Sequence, residues 1–506
     1  MRIERSSEWK EGFIERLENR KEWDNWTLYQ MCYDMERAKV IPEFHGLQSP
    51  KHLPNLTPYA HQLEAAETVI ERMNGKAILA DEVGLGKTIE AGLVLKEYLI
   101  RGLVKKALIL APASLTNQWI DELNQKFYIP AIAYNKKYNL DHCPIVVMSI
   151  DMAKRSPHKE MIIQQEYDLV IIDEAHKLKN PKTKNYEFVQ QLKKKFCLLL
   201  TATPIQNDVF ELFNLISLLK PGHLGNLETF QSVFSASKHH VEEDEFLKEL
   251  IQQVMVRNIR HETGIEWTNR LVQIMPLEFS EQERAVYSMI SKLPVSDSFT
   301  LLTLQREMCS SQLAAVLTLE KLHQAATQPE VRFQIEEILL KLTELGIHSK
   351  AKKAVELIQQ ADDKVIIFTE YRATQAYLQA VLHAKGITSV LFNGKFSKNK
   401  REWMKQLFQG NAQVLIATES GSEGINLQFC HHVINYDLPW NPMKLEQRIG
   451  RVHRLGQTED VHIYNLAVEQ SVEDKMVELL ERKIGVFEKV VGELDHILTD
   501  EKRSIS

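Results

Sequence analysis

The chain has 506 residues, of which 44% are hydrophobic and 26% are charged, and it carries a net charge of −6. This composition is typical of a globular protein, and the length exceeds what one core usually holds, so we expect two or three domains. The acidic balance gives no support for nucleic-acid binding, although a local basic groove can lie on an acidic body.

The cysteines and the apolar segments indicate the compartment. The cysteines lie far apart and lack zinc-binding spacing, so we expect free thiols in a reducing environment. The first residues contain no apolar stretch typical of a secretion signal, and no long uncharged apolar run follows. These features predict a cytoplasmic protein without membrane contact.

The first part of the chain predicts a helical segment followed by an α/β lobe. Over residues 1–50, aromatic and aliphatic residues recur at helical spacing. Over residues 51–220, short apolar runs alternate with longer amphipathic stretches, which is typical of βαβ units around a buried parallel sheet. The predicted strands of this lobe are Ala77–Ala80, Ala107–Leu110, Ile145–Met148, Leu169–Ile172 and Cys197–Leu200.

Residues 221–349 break the alternation and predict helical insertions with an inter-lobe linker. Ser280 and Glu283 form a capping box that opens a helix through Leu293. Two more helical patterns run over residues 301–326 and 333–345.

The α/β alternation returns over residues 350–470, and residues 471–506 predict a C-terminal helical segment. The predicted strands of the second lobe are Val365–Phe368, Val390–Phe392, Val414–Ala417, Val433–Tyr436 and Val461–Leu466. The expected fold class is therefore α/β, with two tandem lobes built on parallel sheets and helical insertions between them.

A glycine-containing loop lies between the first predicted strand and a helix-compatible run. Glycines let backbone N–H groups close round phosphates, Lys87 would reach the β- and γ-phosphates, and the Thr88 hydroxyl would ligate Mg²⁺. The usual first glycine of this pattern is replaced by Asp81. The predicted nucleotide-binding residues are Asp81, Glu82, Val83, Gly84, Leu85, Gly86, Lys87 and Thr88. Alone, such a loop could belong to a kinase, a GTPase or a transporter ATPase.

Two adjacent carboxylates follow another predicted strand, which narrows these alternatives. Asp173 and Glu174 begin an Asp-Glu-Ala-His run directly after Leu169–Ile172. Asp173 is placed to hold the Mg²⁺ shell, and Glu174 is placed to orient and deprotonate the attacking water. The desolvation cost of an acid pair at a buried strand end favours a functional role over a structural one.

With these two elements the chain resembles helicase superfamily two, which implies two RecA-like lobes that use ATP and Mg²⁺. By this resemblance, Gln62 matches the upstream glutamine that contacts adenine. His176, Thr201 and Thr203 fall in elements that couple hydrolysis to lobe movement, and so does Gln447 in the last motif.

The last motif contains arginines spaced by three, at Arg448, Arg451 and Arg454. Such spacing places side chains on one face of a helical turn. A triphosphate held on one lobe needs cationic charge in the transition state, so we expect Arg451 and Arg454 to act as arginine fingers.

Three elements resemble the Swi/Snf ATPases within the superfamily: the loop beginning at Asp81, the run Thr201–Asn207, and the run Arg451–Gln457. Val83 and the run Ile89–Gly92 are most similar to the bacterial RNA-polymerase-associated branch. That branch has extra flanking domains for which this chain has little room, so we do not transfer polymerase binding directly. RNA polymerase or another DNA-bound protein remains a candidate partner.

The resemblance implies a monomeric, DNA-stimulated ATPase that moves along double-stranded DNA and displaces or remodels bound proteins. A grip on the phosphate backbone needs hydroxyls, amides and cations rather than base readers, so low sequence specificity is expected. The candidate contacts are Ser114, Lys179, Arg257, Thr418 and Ser420. For Ser114 and Ser420, a helix cap is an alternative. Two other functions stay open: a strand-separating DNA or RNA helicase, and an ATP-switched nucleic-acid-binding module.

Overall fold

The computed structural model describes residues 26, 29–33, 46–135, 143–205, 209–228, 230–231, 245–295, 297–394, 396–418, 425–491 and 497–499. Within these ranges the chain forms two parallel sheets with helices on both faces. Among the described helices, none has the length and apolarity needed to cross a membrane. Of the predicted N-terminal segment, residues 26 and 29–33 are helical and exposed.

The first sheet has seven strands in the order β3-β4-β2-β5-β6-β1-β7, all parallel. In chain order the strands are β1 (Lys76–Leu79), β2 (Ala107–Ala111), β3 (Ile132–Ala133), β4 (Ile145–Ser149), β5 (Glu166–Asp173), β6 (Lys193–Leu200) and β7 (Met255–Val256). The helices of this lobe are α1 (Ala60–Glu71), α2 (Lys87–Ile100), α3 (Thr116–Gln125), α4 (Ile150–Ala153), α5 (His158–Ile163), α6 (Lys184–Gln190), α7 (Val209–Leu219) and α8 (Glu245–Gln252). Buried clusters on both faces of the sheet explain why its strands are continuous apolar runs.

The second sheet has six parallel strands in the order β10-β11-β9-β12-β13-β8. These strands are β8 (Arg270–Leu277), β9 (Val365–Thr369), β10 (Ser389–Phe392), β11 (Val414–Thr418), β12 (His432–Asn435) and β13 (Val461–Val468). The helices from residue 281 onward are α9 (Glu281–Ser291), α10 (Ser298–Ser310), α11 (Gln312–Ala325), α12 (Pro329–Glu344), α13 (Ser349–Ala361), α14 (Arg372–Ala384), α15 (Lys398–Gly410), α16 (Pro442–Ile449) and α17 (Val472–Val491). The α/β class with two parallel-sheet lobes is thus confirmed, and the ten predicted strands all form.

Residues 221–349 contain two strands that the helical prediction missed. β7 pairs with β1 at one edge of the first sheet, and β8 pairs with β13 at one edge of the second. β7 is two residues long, and β8 contains Pro276, so neither gives a strong strand pattern. As a result, the segment between them passes directly from one sheet to the other.

The inserted helices pack on the second lobe. The capping box at Ser280 and Glu283 forms as predicted and begins α9. The predicted helix over residues 301–326 is instead two helices, because Ser311 is extended (φ −164°, ψ 152°) and its hydroxyl accepts from the N–H of Ala314. A buried cluster joins α9–α12 to Val468 and Val472, so these helices share a core with the second lobe.

Candidate functional site

The phosphate loop lies at the carboxyl end of β1, where open parallel sheets place their ligands. Gly84 and Gly86 have φ values of +99° and +98°, a left-handed conformation that side chains with a Cβ rarely adopt. Gly86 caps α2, which begins at Lys87. The N-terminus of a fourteen-residue helix therefore points its free N–H groups at the loop.

Gln62 supports this loop from α1. Its amide nitrogen donates to the carbonyl of Leu85 at 2.8 Å, and its amide oxygen accepts from the N–H of Tyr59 at 3.1 Å. The Gln62 side chain is buried. It does not line the cleft between the two lobes, which is described below. Its observed contacts are thus with the loop backbone, and a contact with adenine remains a prediction.

The first two residues of the loop turn their side chains away from the cleft. The Asp81 carboxylate accepts the backbone N–H of Asn258 at 2.8 Å and the Asn258 amide at 3.0 Å. The Glu82 carboxylate accepts the backbone N–H of Arg260 at 2.9 Å. Both acids are buried, as is Leu85. The other predicted loop residues line the cleft: Val83, Gly84, Gly86, Lys87 and Thr88.

Lys87 projects into the space that the loop encloses. Its Nζ donates to the carbonyls of Asp81 at 2.6 Å and of Glu82 at 3.1 Å. Burial lowers the pKa of this amine, and the carboxylates of Asp81 and Glu90 oppose that shift. The cation is held by carbonyl oxygens that a phosphate could replace.

Asp173 and Glu174 lie at the end of β5, on the same side of the cleft as Lys87. Asp173 accepts from the indole N–H of Trp119 at 2.9 Å. Burial and the neighbouring Glu174 charge raise the pKa of Asp173 to about 6. Burial would also raise the pKa of Glu174, but His176, Arg451 and Lys87 lower it to about 2. Cations from both walls of the cleft thus favour the ionised form of Glu174, whereas the pKa of Asp173 is shifted in the opposite direction.

The backbone of Glu174 is in the left-handed region, with φ +53° and ψ 48°. A non-glycine residue pays for this conformation, so the surrounding structure must hold it there. His176 contributes, because its Nδ1 lies 3.0 Å from Oε2 of Glu174. Strand end, turn and histidine together aim this carboxylate into the cleft.

The opposite wall of the cleft belongs to the second lobe. Gln447, on α16, and Arg451 and Arg454, which follow that helix, line the same cleft as Lys87 and Glu174. The Nε of Arg454 donates to the carbonyl of Gly450 at 2.6 Å. Burial and the nearby Arg451 charge lower the pKa of Arg454 to about 10, so it stays a cation at neutral pH.

Arg448 is separated from the other two arginines. Its Nη1 donates to the Asn435 side chain and to the carbonyl of Asp437, and its guanidinium lies over the Phe368 ring. It therefore holds the interior of the second lobe together.

The lobes touch beside the phosphate loop. A Cβ built on Gly450 would lie 2.2 Å from Cγ1 of Val83, and one built on Gly84 would lie 3.4 Å from the carbonyl oxygen of His453. In this arrangement the loop and the arginines already face one another.

Thr201 and Thr203 follow β6 at the floor of the cleft. Thr201 lines it, and its Oγ1 accepts the backbone N–H of Thr203 at 3.0 Å. Both threonines are buried, and the Thr201 N–H donates to the Leu79 carbonyl of β1 at 3.0 Å, which connects this turn to the sheet that carries Asp173.

The predicted nucleic-acid contacts are scattered. Ser114 is exposed in the turn before α3, where Leu115 rather than Ser114 is the N-cap residue. Thr418 ends β11, is buried, and its hydroxyl has no hydrogen-bond partner among the described residues. Ser420 lies outside the described residues.

Two basic candidates occupy positions that their sequence context did not suggest. Lys179 was expected in a polar loop, but it follows a 3₁₀ turn (Ala175–Leu178) and is 6% exposed, and its Nζ lies 3.2 Å from Glu211. The Arg257 guanidinium lies over the Phe487 ring of α17. The Lys179 charge is thus paired inside the first lobe, whereas Arg257 is half-buried, and a contact of either residue with nucleic acid remains a prediction.

Sequence reasoning missed two groups of residues at this site. Leu115, Gln118, Glu122 and Lys126, in and around α3, line the cleft. Trp119, on the same helix, orients Asp173. Asn258 and Arg260 hold the loop from the inter-lobe segment. The apolar stripe of α3 identified a helix, but nothing local indicated which of its polar residues face a ligand.

The comparisons with known protein families agree with the resemblance to the Swi/Snf ATPases that the residues of this site carry. The SNF2-related domain matches residues 61–330, and the helicase conserved C-terminal domain matches residues 349–456. A Bacillus subtilis (strain 168) protein named uncharacterized ATP-dependent helicase YqhH is 58% identical over 501 residues, which are 97% of this chain and 90% of that protein. RNA polymerase-associated protein RapA of Pseudomonas aeruginosa (strain LESB58) is 28% identical over 472 residues, and the match spans 85% of this chain and 49% of RapA.

Two solved structures also match, both of the Sulfolobus solfataricus SWI2/SNF2 ATPase core. The one in complex with dsDNA is 23% identical, with a TM-score of 0.44 over 88% of this chain and 95% of that one. The core domain alone is 22% identical, with a TM-score of 0.43 over 90% and 94%. On the two domain matches and the relative at 58% identity, the chain belongs to the SNF2-related family of ATP-dependent helicases.

Proposed function

We propose that this protein is a motor that hydrolyses ATP to move along double-stranded DNA and to displace or remodel proteins bound there. One observation carries the proposal: the phosphate loop and acid pair of the first lobe face Arg451 and Arg454 of the second across a single cleft. Since the cleft has walls on both lobes, a ligand bound there can couple its hydrolysis to their relative movement.

The residues present fit ATP and Mg²⁺. The left-handed glycines and the start of α2 form an anion-binding cradle, and Lys87 adds a cation to it. The Thr88 hydroxyl and the Asp173 carboxylate supply the oxygen donors that Mg²⁺ prefers. When bound, the ion would neutralise charge on the phosphate oxygens.

Glu174 is the proposed general base. Its left-handed backbone and the nearby His176 hold the carboxylate in one orientation. A fixed carboxylate can position the attacking water and accept its proton. Arg451 and Arg454 would stabilise the charge that develops on the transferred phosphoryl group.

Thr201, Thr203, His176 and Gln447 are the proposed coupling residues. Thr201 and Gln447 line the same cleft from different lobes, and Thr203 binds the Thr201 hydroxyl. We therefore expect a change in the bound ligand to act on both walls of the cleft, through Thr201 on the first lobe and Gln447 on the second.

The nucleic-acid partner is inferred from the resemblance of the phosphate loop and the last motif to the Swi/Snf ATPases, which favours duplex DNA. The proposed backbone contacts are Ser114, Thr418 and Ser420. Lys179 and Arg257 remain proposed contacts as well, although Glu211 lies 3.2 Å from the Lys179 amine and the Arg257 guanidinium lies over the Phe487 ring in this structure. The name of the Pseudomonas relative makes RNA polymerase a candidate for the remodelled protein.

The test is the steady-state ATPase rate without nucleic acid and with duplex DNA, single-stranded DNA or RNA. We expect duplex DNA to stimulate turnover most, without strand separation of a plain duplex. Stimulation by RNA alone, or robust unwinding, would favour a strand-separating helicase. ATP binding with no turnover in any condition would favour the ATP-switched binding module. Glu174→Gln is the matched control for contaminating ATPases.

A further inference from the structure

The segment between β7 and β8 runs through the seam where the two lobes meet. It begins with Arg257, followed by Asn258, which donates to Asp81, and it leads to Arg270, the first residue of β8. Two arginines of this segment and two glutamates form a buried charged group, which we call the seam cluster: Glu82, Arg260, Arg270 and Glu446. Each side chain is at most 4% exposed.

Arg260 connects the phosphate loop to the second lobe. Its backbone N–H donates to Glu82, and Nη1 lies 3.9 Å from the same carboxylate. Its Nη2 donates to the carbonyl of Val83 and, at 3.2 Å, to Glu446 on α16. The guanidinium also lies over the Trp267 ring. A single side chain therefore contacts the loop and the helix that precedes the arginine fingers.

Arg270 completes the cluster on the second lobe. Its Nη1 and Nη2 donate to the two oxygens of Glu446 at 2.7 and 3.0 Å, which is a bidentate pair. Glu446 precedes Gln447 directly and lies five residues before Arg451. The opposite charges within the cluster compensate one another, and Arg257 is a further cation whose charge interacts with Glu82 and Glu446.

His453 ties the cluster to the second finger. Burial and the charges of Arg270 and Arg260 lower the pKa of its imidazole to about 3, so the ring is neutral. Its Nδ1 accepts from Nε of Arg270 at 2.9 Å, and Nε2 then donates to the carbonyl of Thr268 at 2.9 Å. Since His453 directly precedes Arg454, the inter-lobe segment orients the backbone from which that finger extends.

We propose that Arg260 and Glu446 are positioning residues that hold the phosphate loop and the two arginine fingers in register when the lobes are closed. The expected effect of these residues on ATP turnover rests on the proposed ATPase function. Their role is distinct from that of the ATP-binding residues, because neither Arg260 nor Glu446 lines the cleft. Each acts through its neighbours: Arg260 through Glu82 and Val83, and Glu446 through α16.

The test compares Glu446→Gln, Arg260→Gln and the double variant. Glu446→Gln removes the charge and keeps the shape of the side chain, whereas Arg260→Gln removes the charge and also shortens the side chain by the guanidinium that contacts Val83 and Glu446. Glu473→Gln is the matched control, because Glu473 also forms a buried ion pair, with Lys350 at 2.6 Å, but inside the second lobe. Measurements are kcat and KM for ATP without nucleic acid, the melting temperature, and the lobe separation.

Lobe separation is measured by energy transfer between dyes on Glu71→Cys and Lys385→Cys in a Cys32→Ser background. Glu71 and Lys385 are both exposed, one on each lobe. The readout is the fraction of molecules that reach the high-transfer state with a non-hydrolysable ATP analogue. The energy-transfer measurement does not depend on ATP hydrolysis. It therefore tests the positioning role of Arg260 and Glu446 even if the protein has no ATPase activity.

We expect each single seam variant to lower kcat by about tenfold or more while KM changes less than about threefold, because small displacements of catalytic groups cost rate more than binding. The double variant should lose little more than either single one, since both residues serve one connection. The high-transfer fraction should fall in all three. Glu473→Gln should lower the melting temperature while leaving kcat and closure unchanged.

Three results would overturn the proposal: wild-type closure in Glu446→Gln, kcat losses that multiply in the double variant, or an equal kcat loss in Glu473→Gln. Failure of duplex DNA to stimulate wild-type turnover would instead count against the proposed function alone. The two inferences therefore fail separately.

Discussion

Substituting Gly450 by alanine should disturb the closed seam while leaving both lobes folded. Gly450 has φ −66°, a conformation that alanine adopts easily, so the substitution introduces no backbone strain. The new methyl group would meet Val83 of the other lobe, 2.2 Å from its Cγ1 and 2.8 Å from its Cβ. Carbon atoms in contact normally lie about 3.5–4.0 Å apart.

The overlap sets the size of the effect. To reach about 3.5 Å, the seam must open by roughly 1.3 Å at Cγ1, and by roughly 0.7 Å even if the Val83 side chain rotates. A misplacement near 1 Å can cost about a hundredfold in rate. We therefore expect kcat for ATP to fall by about ten- to a hundredfold, equal to roughly 1.4–2.7 kcal/mol of transition-state stabilisation.

The assay is steady-state ATPase with a thermal melt on the same sample. Gly485→Ala is the matched control, because Gly485 lies in α17 and an added Cβ meets nothing within 4 Å. It should keep wild-type kcat and gain up to about 1 kcal/mol of stability, as helical Gly→Ala changes do. Val83→Ala combined with Gly450→Ala should recover part of the lost rate, because the Cγ1 overlap is removed and the Cβ overlap remains.

Full kcat in Gly450→Ala would show that the contact between Val83 and Gly450 does not form during turnover. An equal loss in Gly485→Ala would trace the effect to the second lobe's folding rather than to the seam. Either result would show that overlap between the methyl group added by Gly450→Ala and Val83 does not cause the loss of rate.

Three further substitutions test the site and the core. Lys87→Ala should abolish turnover and weaken ATP binding, measured with a fluorescent ATP analogue, because the loop loses its only side-chain cation. Glu174→Gln should abolish turnover while the same analogue still binds; residual turnover above about 1% would remove Glu174 as the base. Gly92→Ala should destabilise the first lobe by about 1–3 kcal/mol in urea unfolding, because a Cβ would lie 2.3 Å from the Phe127 ring. An unchanged midpoint would contradict that packing.

The sequence predicted the fold class because buried parallel strands leave a simple signal. The predicted strands are runs of apolar residues that alternate with helices, as β2 between α2 and α3 illustrates. Edge strands leave a weaker signal, so β7 and β8 were missed. The break at Ser311 was missed because it depends on buried contacts with residues far away in the sequence: the hydroxyls of Ser310 and Ser311 bind Thr374, and that of Ser310 also donates to Asp437.

The sequence predicted those parts of the site that are formed by residues close together in the chain. Lys87 and Thr88 follow the glycines that shape their loop, and Asp173 and Glu174 share one strand end. Residue type and spacing are enough to identify such groups. The environment of Lys179 was not predictable in this way, since Glu211 belongs to α7 and approaches only in the folded lobe.

Asp81 illustrates the difference between what the sequence predicts and what only the tertiary structure shows. From the sequence alone, Asp81 identified the Swi/Snf type of phosphate loop, and motif order placed Arg451 and Arg454 opposite it. Tertiary structure decided what these residues touch: Asp81 binds Asn258, 177 positions away, and Arg260 joins Val83 to Glu446. Local pattern determines strands, loops and donor types because those depend on neighbouring residues. Contacts across the seam depend on how two separately folded sheets meet, and no local pattern records that.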